Sequence, residues 1–353
     1  MTQELKNKIE SIISSNPLAD DREILFQLKQ LLYETELQNY VGRNARSIAE
    51  LVAENIYQLK EETYRNAIIK TGFCEFDKHY GGFRPGEFVI VGGRPAMGKT
   101  QFLVNLSLHI STTFPVLYVT LDLSEFLLTN RFIASVSGIP AQCILQHDLN
   151  EEQKRTLSTI GAEFSKRKLS IHDRSNCSIE ALKAICQKQI QENNVQMIVI
   201  DYLQLMHSSK HRKNRELEVS YISRELKNMA KENNICVIAS SQINRNVEVR
   251  YGREGKRPVL SDLRESGAIE QDADKVIFIN RPDYYGIFED CNGNNISLLA
   301  EIIVAKNRNG RLGWFYLLRD KDFTNFRDFE NFRNDFSFSS DRLLELEEDN
   351  PPF

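Results

Sequence analysis

The chain has 353 residues and a mass of 40.8 kDa, a length for one or two domains. Its 41% hydrophobic and 27% charged content supports a sizeable core and excludes wholesale disorder. The formal charge of −4 argues weakly against nucleic acid, yet residues 324–353 alone carry eight acids against three arginines, leaving the remainder close to neutral. Residues 1–69 are rich in Leu, Ile, Glu, Lys and Gln. Leu25, Leu28, Leu31 and Leu32 recur at helical spacing, as do Ile48, Leu51, Val52 and Ile56, so two or three helices are expected, including a linker helix. From Thr71 apolar β-branched runs alternate with amphipathic segments: Glu87–Val91, Val116–Leu123, Met197–Leu203, Ile235–Ser241, Lys275–Asn280, Ile302–Ala305 and Trp314–Leu318. That alternation predicts an α/β fold with a mostly parallel sheet, closed by an antiparallel hairpin at Asn309-Gly310. Residues 70–323 form the expected main domain. Residues 324–353, acidic and Phe-rich, read as a mobile tail with a short helix at 341–348. No apolar run approaches the ~18–20 residues of a membrane span, and the N-terminus lacks a signal peptide's apolar region. Six scattered cysteines without C-x-x-C predict reduced thiols in a cytoplasmic protein.

The sharpest motif is Gly93-Arg94-Pro95-Ala96-Met97-Gly98-Lys99-Thr100, which fits G-x-x-x-x-G-K-[ST] between an apolar strand and a helical pattern. Glycines let backbone N–H groups turn inward around phosphate oxygens, and the helix N-terminus adds partial positive charge. Lys99 is placed to reach the β/γ-phosphates of ATP, and Thr100 to offer a hydroxyl to Mg²⁺. Asp201, ending the run Met197–Ile200, is the expected metal-supporting acid. Asp122, ending the next strand after the cradle, is the expected base for the attacking water, with Glu125 the weaker competitor. Gln242, ending Ile235–Ser241, is placed to sense the γ-phosphate. Two basic loops follow strand ends. Residues 210–215 contain Lys210 and Arg212, and residues 245–257 contain Arg245, Arg250, Arg253, Lys256 and Arg257. Ligands bind at that edge of an open α/β sheet, so the loops read as a track for a phosphate backbone, sequence-independent because Tyr251 is their one aromatic.

The stretch from about Ala49 to Asp322 resembles the C-terminal, RecA-like motor domain of the DnaB-type replicative helicases. The resemblance rests on Thr71-Gly-Phe…Phe76-Asp, GRPAMGKT (93–100), IVIDYLQLM (198–206), ISRELKNMAKE (222–232), VIASSQINR (237–245), RPVLSDLRESGAIEQDADKVIFINR (257–281) and AKNRNG (305–310). It implies a homo-oligomeric, hexameric ring that hydrolyses ATP at subunit interfaces and moves 5′ to 3′ along single-stranded DNA. It further implies that Arg308, beside Lys306, is a finger inserted at a neighbour's γ-phosphate, and that Arg264, Glu265 and Gly267 belong to a DNA-gripping loop.

Two departures stand out. The family commonly has Glu where this chain has Asp122, one methylene shorter, which predicts a slower ATPase. Only 69 residues precede the motor, whereas family members usually carry a globular helical domain there, so the usual primase partnership is not expected. Leu346–Phe353 looks like the acidic Pro-Phe tail of bacterial single-stranded-DNA-binding proteins, which implies docking on a replication partner. The rival readings are a related ATPase that has lost unwinding and serves as an assembly factor, and a RecA-paralogue-like strand-binding protein.

Overall fold

A computed structural model describes residues 9–12, 23–24, 26–31, 46–60, 68–175, 177–210, 214–263 and 267–329. The chain divides into two compact units, Met1–Arg65 and Asn66–Phe353. In the first, helix α1 (Ile48–Lys60) presents Ile48, Val52 and Ile56 on one exposed stripe, four residues apart. An Arg46–Glu54 ion pair of 2.6 Å lies along the same stretch.

In the second unit, chain order runs through helix α2 (Cys74–Tyr80), strand β1 (Phe88–Gly93), α3 (Lys99–Ile110), β2 (Val116–Thr120), α4 (Glu125–Ser137), α5 (Ala141–Gln146) and α6 (Glu151–Ser165). It continues with β3 (Leu169–Asp173), α7 (Ile179–Asn193), β4 (Met197–Asp201), α8 (Arg215–Asn233), β5 (Cys236–Gln242), α9 (Gly252–Lys256) and α10 (Gly267–Asp272). Strands β6 (Lys275–Asn280), β7 (Leu299–Asn307), β8 (Gly313–Arg319) and β9 (Phe326–Asp328) complete it. The nine strands make one sheet in the order β3-β2-β4-β5-β1-β6-β7-β8-β9. Strands β3 through β6 in that order pair parallel, and β7, β8 and β9 are added antiparallel.

The apolar runs become strands because helices cover both faces. Val89 and Val91 of β1 join Phe73, Phe76, Phe102 and Tyr118 on one side, while Phe88 and Ile90 join Leu226 and Met229 on the other. Each such burial contributes about 1.5–3 kcal/mol. The α/β fold and its antiparallel end follow the expected pattern. Strand β3 does not appear among the sequence-predicted runs, because at the sheet edge it is only half-buried and keeps the polar Ser170, His172 and Asp173.

The boundary at residue 324 is corrected. Phe326–Asp328 is a strand, and Phe326 is buried against Phe102, with ring centroids 6.1 Å apart. The Phe326 N–H donates to Asn105 Oδ1 at 2.9 Å, and the Cys74 N–H donates to the Asp328 carboxylate at 2.9 and 3.0 Å. Charge composition hides these long-range partners. The expected helix at 341–348 and the Pro-Phe end lie outside the described residues.

Candidate functional site

Strands β2, β4, β5 and β1 are adjacent and parallel, so their C-terminal ends come together. In register, Thr120 stands beside Asp201, and Gly93 beside Gln242. The phosphate loop leaves β1 there. Ala96 (φ 65°) and Gly98 (φ 94°) both adopt left-handed backbone, turning the loop into the start of α3. A Cβ on Gly98 would meet the Phe323 ring at 2.5 Å and Phe326 at 2.9 Å, so only glycine fits. The loop is braced from behind: Arg281 donates to the Ala96 carbonyl at 2.8 Å, pairs with Asp283 and covers the Phe323 ring at 4.6 Å.

Lys99 Nζ donates to the carbonyls of Gly93 and Arg94 at 2.9 and 3.0 Å. Burial is the largest influence on it and lowers its pKa to about 8; Asp201 opposes that shift, Arg94 adds to it, and Asp122 also opposes it. A desolvated ammonium at the N-terminus of α3, beside a loop with left-handed turns at Ala96 and Gly98, suits an anion. Thr100 Oγ1 donates to Asp201 Oδ2 at 2.7 Å, Tyr118 OH donates to the same oxygen at 3.1 Å, and Ser240 Oγ donates to Asp201 Oδ1. Burial, the largest cause, together with the Asp201 charge pushes the Tyr118 hydroxyl well above its usual range, so it remains a donor. Paired hard oxygens from Thr100 and Asp201 fit Mg²⁺. Among the described residues no group of three or more His, Cys, Asp or Glu forms a further metal cluster.

Asp122 is exposed just past β2 and acts electrostatically on both Lys99 and Tyr202. Glu125 starts α4, and its N–H donates to Asp173 at 2.9 Å. Of the two acids, Asp122 is the one whose charge reaches the cradle lysine.

Arg94 is nearly buried and pairs with Glu248 at 2.7 Å, donating also to the Ile243 carbonyl at 3.0 Å. It therefore joins the phosphate loop to the segment after β5. The expected basic track along 245–257 needs correction. Arg250 forms a two-pronged pair with the buried Asp262, one prong at 3.0 Å. Arg253 and Arg257 both bind the fully buried Glu301, at 2.7 and 3.0 Å, and Asn280 adds a bond of 2.8 Å. Burial, the largest influence on Glu301, raises its pKa, but Arg257 and Arg253 outweigh that and hold it below the usual carboxylate range. Lys256 donates to the Glu248 carbonyl and lies over the Tyr285 ring. Arg245 is exposed and forms no ion pair among the described residues. The acids that hold the other arginines sit far along the chain, on β7 and before α10, where local charge counting does not look.

Lys210 is exposed and lies 5.0 Å above the Tyr221 ring. Arg212, Arg264 and Glu265 lie outside the described residues. Gly267 opens α10, exposed, with no atom within 4 Å of where a Cβ would stand. Leu263 bridges to Ile243, so the segment leading to Gly267 starts one residue from Gln242.

Lys306 and Arg308 lie at the other end of the sheet. Arg308 N–H donates to the Asp274 carbonyl at 2.9 Å, and Asp274 N–H donates to the carbonyl of Phe88, the first residue of β1. Gly93 is five strand residues further on, roughly 17 Å away. Arg308 is half-exposed, pairs with Asp274 at 3.3 Å and donates to the Gln271 carbonyl. Lys306 donates to the carbonyls of Glu270 and Gln271 at the end of α10. The pairing with β6 shifts register between Val276 and Ile277, leaving a bulge at Ala305 that re-aims Lys306. Neither cation can reach its own subunit's cradle.

One residue escapes motif reasoning. Gln204, in the turn Leu203–Leu205 past β4, accepts from the Gln242 N–H at 3.1 Å and donates to Ser241 Oγ at 2.8 Å. Its position inside DYLQLM is the available signal.

With this geometry in place, comparison with known proteins is specific. The model for the DnaB-like helicase C terminal domain matches residues 68–328. The chain is similar to the replicative DNA helicase DnaB of Geobacillus stearothermophilus, 38% identical over 308 residues, covering 86% of this chain and 66% of that one. Two solved structures resemble it. One is an ATPase domain, with a TM-score of 0.72 and 32% identity over 81% of this chain and 99% of that one. The other is a DnaB-like replicative helicase described with its interactions with primase, with a TM-score of 0.74 and 30% identity over 92% and 76%. The chain spans between 62% and 67% of the length of the first curated relatives it matches.

Proposed function

The chain belongs to the DnaB-like helicase C-terminal domain family, and from that premise we propose that it is the motor of a replicative DNA helicase, hydrolysing ATP to move along single-stranded DNA. The observation that carries this reading is the division of catalytic groups between the two ends of one sheet. Cradle, metal-side acid and Asp122 gather at one end; Lys306 and Arg308 stand roughly 17 Å away at the other. A complete site then requires two subunits, each giving its cradle to one neighbour and its finger to the next, and repetition of that head-to-tail contact closes a ring.

In this reading the loop 93–100 binds the triphosphate through its backbone N–H groups, and Lys99 neutralises the β/γ-oxygens. Thr100 and Asp201 hold Mg²⁺, which when bound neutralises developing charge on the phosphates. Asp122 orients and deprotonates the attacking water, Gln242 reads the γ-phosphate, and the neighbour's Arg308 stabilises the transition state. Arg245, Lys210 and Gly267 face the nucleic acid, while Arg250, Arg253 and Arg257 shape the loop that carries Arg245. The exposed stripe Ile48, Val52 and Ile56 suits α1 for docking on another subunit.

The test is ATPase activity with and without single-stranded DNA, beside unwinding of a forked duplex. DNA-stimulated hydrolysis with unwinding is expected, and both are abolished by Lys99→Ala. Stimulated hydrolysis with no unwinding overturns the helicase reading and supports an assembly factor.

A further inference from the structure

Gln204 makes an unusual set of contacts with the strand end that bears Gln242. Its side-chain amide accepts from the Gln242 N–H at 3.1 Å and donates to the Gln242 carbonyl at 3.3 Å and to Ser241 Oγ at 2.8 Å. A primary amide is both donor and acceptor, so Gln204 grips one residue's backbone as a neighbouring strand does. Leu203 and Met206 are buried in the core on either side and keep the turn that holds Gln204 beside β5.

The main chain of that turn is in turn held by Arg215. Its Nη2 donates to the Gln204 carbonyl at 2.8 Å and its Nη1 to the Met206 carbonyl at 3.0 Å. Glu218, buried, accepts from Arg215 Nη1 at 2.7 Å and from the Ser208 N–H at 2.8 Å. Arg215 closes the basic stretch 210–215, and Glu218 ties its two feet together. The loop suited to a phosphate backbone and the amide expected at the γ-phosphate are therefore joined by one short run of hydrogen bonds, Ser208–Glu218–Arg215–Gln204–Gln242.

We propose that Gln204 is a positioning residue that sets the backbone of Gln242 according to whether Lys210, beside Ser208, is engaged by DNA, and so carries part of the DNA stimulation of ATP hydrolysis. This rests on the reading of Gln242 as the γ-phosphate-sensing group. Both ends of the Gln204 side-chain amide are taken up by Ser241 and Gln242, so it acts through Gln242.

The test uses the full chain, poly(dT) as the DNA and a fluorescent ADP analogue as a binding probe. Gln204→Ala is expected to lower the poly(dT)-stimulated kcat about tenfold, the scale of one or two lost hydrogen bonds. KM for ATP and affinity for the ADP analogue are expected to stay within about twofold. Gln204→Glu keeps the acceptor for the Gln242 N–H and is expected to recover part of the loss. The double variant Gln204→Ala/Gln242→Ala is expected to be no slower than Gln242→Ala alone, because the two act in series. Full stimulation in Gln204→Ala while Gln242→Ala loses it overturns the proposal alone. So do multiplying effects in the double variant, or loss of ADP-analogue binding in Gln204→Ala, which marks a merely structural role. Full stimulation in Gln242→Ala removes the reading of Gln242, and the proposal falls with it.

Discussion

At the cradle end of the sheet, polar groups are buried and held on several sides: Asp201 takes hydroxyls from Thr100, Tyr118 and Ser240, Arg94 ties the phosphate loop to the Ile243 carbonyl, and Arg281 binds the loop from the rear. At the opposite end Arg308 is half-exposed, resting on Asp274, which Lys227 also engages at 2.6 Å, and on a carbonyl that closes a six-residue helix. A pair so open to solvent contributes only about 0–1 kcal/mol. The first end is fixed in shape by the protein's own contacts. The second can exchange partners at little cost, as the proposed role of Arg308 at a neighbour's phosphate requires.

That contrast can be broken most sharply at Arg308. Arg308→Ala is expected to reduce turnover about 10³-fold or more while nucleotide still binds. Mixing it with the inactive Lys99→Ala chain is expected to restore hydrolysis, because one variant supplies an intact cradle and the other an intact finger. No recovery in mixed assemblies, with turnover unaffected in Arg308→Ala alone, places the whole site within one subunit.

A smaller effect sharpens the cradle's side of the comparison. Lys99, with a pKa of about 8 in the free chain, carries its proton below that pH, and a bound triphosphate raises the pKa. Below pH 8 the lysine is already charged, so its contribution to affinity is flat. Above pH 8 each binding event must take up a proton, and affinity is expected to fall by up to about tenfold per pH unit. Calorimetry of nucleotide binding in buffers of different ionisation enthalpy reads that uptake directly. Lys99→Arg, which stays charged, is expected to abolish it; an unchanged pH profile in that variant assigns the proton elsewhere.

The smallest effect separates the arginines after β5. Arg245→Ala is expected to lower the log–log salt dependence of single-strand binding by about 0.7 with stability unchanged. Arg250→Ala leaves the buried Asp262 with the Val259 N–H but without its charged partner and is expected to cost about 2 kcal/mol of stability, measured by denaturant unfolding, with that salt slope unchanged.

Groups whose chemistry is local are legible in the sequence. The cradle's glycines and lysine are set by spacing, and Asp201, Asp122 and Gln242 follow from strands that end at one edge. What stays hidden depends on partners distant in sequence. Arg253 and Arg257 look like free surface charge until Glu301, 48 and 44 residues later, is folded beneath them. Gln204 looks like a polar residue in a loop until β5 is laid next to β4. Phe326 looks like part of an acidic tail because its neighbours are charged, although its ring fills space behind the phosphate loop. Strand β3 is short, half-buried and carries Ser170, His172 and Asp173, and an edge position requires no more.

The brace behind that loop bears on the order of synthesis. Residues 98–105 are sewn to residues 323–326 by the Phe323 and Phe326 rings against Gly98, by Gln101 to the Thr324 carbonyl, and by Asn105 to both Asn325 and Phe326. More than 200 residues must leave the ribosome after the phosphate loop before its supports exist. Nascent chains therefore carry a phosphate loop that lacks this brace until residues 323–326 have been made, when the domain is nearly complete.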